Sequence, residues 1–268
     1  MSRPLLAGIL IFIAFASSQT ALAQHNYRDI LSIPGKVDQI HYDNLLHIYA
    51  VKGTELLKYD PKGKFLFRYS DKELGSIGNV DVSFSLRPLL HYPGINYIVL
   101  LDNTLSNNRG KINLMNQGIQ FGTLACTSVQ NHFWFYDAMS FQLIRSNENF
   151  RPVFESGNLA QILRLQSLEP NFMIEYNNRL YVNNPASGIL VFDIFGTYIK
   201  TVPIIGLEQF QVTDRAIVYF ADGKLSLHNL QNYQLTEVDL PEGCLDARLQ
   251  KKKILLRMPD SIRLIELL

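Results

Sequence analysis

Short apolar runs separated by polar turn clusters occupy the chain from Tyr27 onward. The stretch ILVFDIFGTYIKTV at 189–202 shows the form: an apolar strand ending in aromatic-Asp, two residues, a Gly, then a second strand. LLKYDPKGKFLFRY at 56–69 has the same build, its Asp placed 133 residues earlier. The runs are rich in Ile, Val, Phe and Tyr, the residue types that fit a pleated, packed surface. Helical periodicity is confined to NLAQILRLQSL at 158–168, where Leu159, Ile162 and Leu163 space as a short connecting helix.

The apolar-strand-then-polar unit recurs. It ends at Asp60, Asp102, Ser146, Asp193, Asn229 and Glu266, in steps of 42, 44, 47, 36 and 37 residues. A second strand precedes most of these, as in HIYAV at 47–51, HFWFY at 132–136 and AIVYF at 216–220, and a third follows most of them. A fourth leads each set: QIHYD at 39–43, VDVSF at 80–84, LACTSV at 124–129, FMIEY at 172–176, FQVTD at 210–214 and DARLQ at 246–250. Four strands in each unit of roughly 40 residues is the signature of a propeller blade. The pattern therefore predicts an all-β, six-bladed β-propeller over residues 24–268, the second blade being the least regular. A β-sandwich would offer similar strands without a fixed period.

The ends of the repeat supply an independent check. The sixth unit has three strands, and YRDILSIP at 27–34 belongs to no unit. That N-terminal strand is expected to complete the last blade as its outer edge and close the ring, because an open ring would leave two blade faces as apolar patches. Turn chemistry agrees. In Asp60-Pro61-Lys62-Gly63, Asp suits the first turn position, Pro presets φ at the second, and Gly takes positive φ at the last. Asp193 and Gly196 hold the same places, so they are turn residues and drop out of any catalytic set.

The repeat IY…LLKYD-x-x-G-K with GILVFD-x-x-G-TYIK resembles six-bladed propellers of the NHL-like and TolB-like kind, and among them a set of exported proteins from Bacteroidota. The resemblance covers residues 27–268. It rests on turns and strands, so it implies a fold and assigns no activity. The Trp-Asp and Gly-His marks of WD40 blades are missing, since Trp134 is the only Trp and Phe135 follows it.

The first 23 residues differ from the rest. Arg3, an unbroken apolar run from Leu5 to Phe15, and Ala21-Leu22-Ala23 before Gln24 read as a secretory signal peptide cleaved after Ala23. A membrane anchor, the alternative, needs about 20 apolar residues. No other run in the sequence reaches that length, so no transmembrane segment is expected after cleavage. The chain stops within the sixth blade, so periplasmic retention is expected ahead of secretion. With 25 Lys+Arg against 24 Asp+Glu, the net charge is +1, and removing Arg3 brings it to zero. Nucleic-acid binding draws on a basic field that this chain lacks. Lys251-Lys252-Lys253 is too short to supply one and reads as a solvated turn. The two cysteines, Cys126 and Cys244, fall in or beside blades three and six. Those blades are opposite in a six-fold ring, which predicts two free thiols.

Candidate chemistry is sparse. There is no G-x-S-x-G, no H-E-x-x-H and no glycine-rich phosphate loop opening a helix. DNTLSNNRG at 102–110 holds one acidic residue, too few for calcium. HFWFY at 132–136 is expected to pack between blades and not to stack on sugar. Six-bladed propeller enzymes of the lactonase type place metal-binding groups at a channel mouth. The first strands here put Asp81, Glu175, Asp214, Asp246, Arg248 and His41 beside the channel. Of these, Asp81, Glu175, Asp246 and Arg248 are the binding candidates. No catalytic residue, metal ligand or cofactor is assigned. The expected function is an exported, non-enzymatic scaffold of the cell envelope with a protein partner. A metal-dependent hydrolase or lyase, and a glycan or small-molecule sensor, are the alternatives.

Overall fold

A computed structural model of the chain describes residues 27–268, and the signal peptide expected at residues 1–23 lies outside the described residues. The first strand, β1 (Tyr27–Pro34), stands apart from the four that follow it. Blade one is β2 (Gln39–Tyr42), β3 (Ile48–Lys52), β4 (Glu55–Tyr59) and β5 (Phe65–Ser70). Blade two is β6 (Asn79–Asp81), β7 (Leu89–Tyr92), β8 (Tyr97–Leu100) and β9 (Lys111–Asn113). Blade three is β10 (Gly122–Ser128), β11 (His132–Asp137), β12 (Gln142–Ser146) and β13 (Pro152–Glu155). After a single helical turn, α1 (Leu159–Ile162), blade four runs through β14 (Phe172–Tyr176), β15 (Arg179–Asn184), β16 (Gly188–Asp193) and β17 (Tyr198–Val202). Blade five is β18 (Gln211–Val212), β19 (Ala216–Ala221), β20 (Lys224–Asn229) and β21 (Leu235–Asp239), and β22 (Asp246–Gln250), β23 (Lys253–Arg257) and β24 (Ser261–Leu267) begin blade six.

The six four-stranded antiparallel sheets form a six-bladed propeller, and β1 supplies the missing strand of the last, in the order β1-β24-β23-β22. Tyr27 opposes Leu267 and Pro34 opposes Ser261, with one register shift between Asp29 and Leu31. Two cross-strand ion pairs, Arg28 with Glu266 and Arg263 with Asp29, sit on this seam at 2.6 Å each. Both are solvent-facing and contribute little. The seam's main stabilisation comes from Ile33, buried with Ile40, Leu255, Ile262 and Leu264 between blades six and one.

One apolar cluster fills each of the six blade junctions. This explains why four consecutive residues of HFWFY, Phe133 to Tyr136, are aromatic. A strand sends alternate side chains to opposite faces, and here both faces are covered. Phe133 and Phe135 enter the cluster between blades two and three, while Trp134 and Tyr136 enter the one between three and four. All four are at most 1% exposed, each stabilising the junction by about 2–3 kcal/mol. Cys126 and Cys244 lie in different junction clusters and are free thiols.

Several elements are shorter than the apolar pattern predicts. β6 stops at Asp81, whose carboxylate takes the Ser83 backbone N–H at 2.8 Å and turns the chain aside. β18 stops at Val212 because the Thr213 hydroxyl accepts the Ala216 N–H at 3.0 Å. The helix expected from 158 makes one turn, Leu159–Ile162, capped by Asn158, and Arg164 just beyond it is left-handed at φ 52°.

The Asp-x-x-Gly turn is more widespread than its sequence form. Asp60 Oδ1 accepts from the N–H groups of Lys62 and Lys64 at 2.8 Å, and Asp193 Oδ1 accepts from Phe195 and Thr197 at 2.8 and 2.9 Å. Asp102 and Asn147 make the same pair of bonds, to residues 104 and 106 and to 149 and 151. In those two turns the left-handed position is held by Leu105 (φ 59°) and Phe150 (φ 60°) where the others have Gly63 and Gly196. Both side chains are buried, Phe150 stacked on Phe133 at 5.0 Å, so packing offsets a backbone cost of about 1–2 kcal/mol.

Ring closure by β1 sets a direct expectation. Deleting residues 27–34 should lower the melting temperature by more than 10 °C or abolish cooperative unfolding, since a whole blade edge and the Ile33 contacts are lost. An unchanged melting temperature by calorimetry would contradict the closure.

Candidate functional site

The first strands of the blades surround a central channel. One end is a cavity of about 250 Å³ with His41, Tyr42, Asp81, Glu175, Gln211 and Arg248 among its walls. The other end, at the starts of the first strands, is a wider space of about 570 Å³ bounded by Gln39, Asn171, Glu208, Asp246 and Arg257 among others. Asn79, Phe172 and Gln209 border both.

Asp81, Glu175 and Arg248 are therefore brought to one cavity, together with His41. Asp246 borders the opposite end, and its Oδ1 accepts from Arg248 Nη1 at 2.5 Å. Asp214 leaves the channel. It stands in a recess of about 240 Å³ between blades four and five with Arg179 and Lys200, and accepts from Tyr176 Oη at 2.8 Å.

The channel carboxylates bridge neighbouring blades. Asp81 of blade two accepts from the Thr127 N–H at 2.7 Å and the Thr127 hydroxyl at 2.6 Å on blade three, besides Ser83. Glu175 of blade four accepts from three donors of blade three: Ser128 Oγ at 2.5 Å, Val129 N at 3.0 Å and Trp134 Nε1 at 2.7 Å. Arg145 backs this set, donating from Nε to Ser128 Oγ at 3.0 Å and lying over the Trp134 ring. Amides do the same work elsewhere. Gln39 donates to Gly78 O at 3.0 Å, from blade one to blade two. Gln211 of blade five accepts from Leu249 N and donates to Leu249 O on blade six, at 2.7 and 3.1 Å. Asp43, at the end of the first blade's inner strand, accepts from Leu45 N, His47 N and Tyr49 Oη.

Among the described residues, no three His, Cys, Asp or Glu side chains stand where they could share a metal ion. The carboxylates diverge because each turns toward its own junction. Sequence inspection missed Tyr42, Asp43, Gln211 and the indole N–H of Trp134. Trp134 reads as core from its apolar neighbours, and the amides do not titrate. Their one visible signal is shared position within the first strand of a blade.

Two histidines are buried and uncharged. His41 sits 3.2 Å from Gln39 Oε1, and its pKa is lowered to about 3 by burial and then by Arg248. His91, between blades two and three, contacts Gly122 O at 3.1 Å and is lowered to about 4 by burial.

No protein-family model and no curated protein matches the chain. Solved structures do. A streptogramin B lyase superposes with TM-score 0.58 at 13% identity, over 87% of this chain and 80% of that one. Virginiamycin B lyase from Staphylococcus aureus, in a catalytically inactive form with quinupristin, gives 0.58 at 12% identity, over 87% and 81%. The Neurospora crassa Pan2 WD40 domain gives 0.57 at 8% identity, over 90% and 95%. These likenesses show the fold, which serves a lyase and a WD40 domain alike.

The histidines give the site a pH signature. Their folded pKa values lie below 6.5, so between about pH 4 and 6.5 the unfolded chain binds protons that the folded chain refuses. Stability is therefore lost as pH falls through this window, by about 1.4 kcal/mol per unit for each histidine. Urea unfolding at pH 7.0 and 5.0 should show that loss, and His41→Gln should remove about half of the histidine-dependent slope. The same slope in the variant would place His41 in contact with water.

Proposed function

We propose that this propeller is an exported, non-enzymatic binding protein of the bacterial cell envelope, held in the periplasm, which meets a protein partner through one face of loops. The observation that carries this reading is an apolar arc on the face where the first strands begin. Phe121, Met139, Phe141 and Ile162 are exposed there, with Met115 and Ile95 beside them; Met139 and Met115 are 65% and 62% exposed. Hydrogen bonds tie these loops into one rim. The Ala138 N–H donates to Phe121 O and the Leu159 N–H to Phe141 O, both at 2.9 Å, and Asn96 Nδ2 donates to Gln120 O at 3.1 Å. Methionine and aromatic side chains on a rigid, exposed rim match the composition of protein interfaces.

A metal-dependent hydrolase or lyase asks for carboxylates with free oxygens meeting at one point. Asp81, Glu175 and Asp246 face different junctions with their oxygens engaged, which favours the binding reading. The likeness to streptogramin B lyases adds only the fold.

The test compares the protein with a Phe121→Asp/Met139→Asp variant as bait in the native envelope. A partner captured by the parent should fall at least tenfold with the variant, whose melting temperature should match the parent's. Equal recovery by both, or no partner with either, contradicts the proposal.

A further inference from the structure

Antiparallel strands sort the loops of a propeller onto two faces. Links from first to second strand and from third to fourth lie at one face, and all other links lie at the opposite face. Among the described residues, the loops of the first face hold eight Lys and Arg against five Asp and Glu, while those of the opposite face hold three against eight. A chain of net charge +1 is thus folded into a disc with one basic and one acidic face. Sequence order hides this, because the eight cations come from five different blades. None of the eight makes an ion pair among the described residues. The carboxylates of the basic face are held elsewhere. Asp43, Asp60 and Asp102 accept N–H groups of their own turns, and Asp214 accepts from Tyr176 Oη.

The basic face also carries large apolar side chains on its loops. Leu86 and Phe195 are each 70% exposed, Tyr233 62% and Leu45 53%, and Phe84 is exposed in the Leu86 loop. They belong to blades two, four, five and one, so they stand around the ring instead of forming one patch. The two loops nearest the channel are held in place. Ser85 Oγ donates to Asn44 Oδ1, joining blade two to blade one, and the Arg87 N–H donates to Phe84 O at 2.8 Å. A protein partner is bound mainly through one compact, desolvated cluster. Apolar side chains dispersed among unpaired cations suit a continuous surface that is anionic outside and apolar beneath. At a bilayer interface, apolar burial and attraction to anionic headgroups add together, and Tyr is at home at headgroup level. We propose that the basic face docks on an anionic lipid surface. Leu45, Leu86, Phe195 and Tyr233 enter the headgroup layer, and cations such as Lys62, Arg151, Arg215 and Lys251 lie against the lipid phosphates. The apolar rim of Phe121 and Met139 is on the opposite face, so the two contacts are independent.

Co-sedimentation with vesicles tests this, using phosphatidylcholine alone and phosphatidylcholine with about 30% phosphatidylglycerol. The protein should bind the anionic vesicles at least tenfold more tightly, and binding should weaken as salt rises from about 0.1 to 0.5 M. Lys251→Glu/Lys252→Glu, in an exposed turn, should bind them at least tenfold more weakly. Adding Glu169→Lys/Glu242→Lys on the acidic face restores the net charge and should not restore binding. Leu86→Asp should keep the parent's melting temperature and bind about tenfold more weakly. No binding to the anionic vesicles, equal binding to both kinds, or parent-like binding by either the Lys251/Lys252 or the Leu86 variant overturns the proposal. Rescue by the acidic-face lysines overturns it too, since net charge would then suffice. Capture of heparin without vesicle binding would assign the face to a soluble acidic polymer and equally overturn it.

Discussion

Each inner strand carries polar side chains into a junction that is otherwise apolar, and those side chains must find partners there. The bonds from blade three to Glu175 show how the constraint is met. A carboxylate that is 9% exposed as a residue accepts a hydroxyl, a backbone amide and an indole N–H from the neighbouring blade. Left unpaired at that depth, it would cost several kcal/mol. Paired, it fixes the distance and rotation between two blades whose remaining contacts are apolar and non-directional. Asp81, Gln39 and Gln211 repeat the device around the channel, so the ring has a defined geometry as well as a filled core.

This constraint also separates what the sequence discloses from what it hides. Blade number, the closing strand at 27–34 and the burial of HFWFY follow from apolar patterning and turn residues, which are local. Carboxylate roles do not. Asp81 and Glu175 appear in the sequence as polar residues of inner strands, a position shared by metal ligands and by junction acceptors. The choice depends on what faces them from the next blade, about 46 residues away along the chain. The turns of blades two and three were hidden for a different reason. Leu105 and Phe150 take a backbone conformation that pattern reading reserves for Gly, and they are held there by burial.

The same physics gives the channel and the loops different characters. Around the channel, Asp81, Glu175, Gln39 and Gln211 are engaged blade to blade, while Asp43 accepts from its own blade. On the face above blades two and three, methionine and aromatic side chains remain exposed on loops whose backbones are pinned by hydrogen bonds. The ring thus combines a hydrogen-bonded channel lining with one exposed apolar rim.

Whether the inner carboxylates hold the blades together is decided by a double-mutant cycle on Trp134 and Glu175. Urea unfolding of the parent, Trp134→Phe, Glu175→Gln and the double variant yields the coupling between the indole N–H and the carboxylate. If Glu175 ties blade four to blade three, the coupling is about 1.5–3 kcal/mol, the worth of a buried hydrogen bond to a charged group. Additivity within about 0.5 kcal/mol would show that the two side chains act independently and would contradict it.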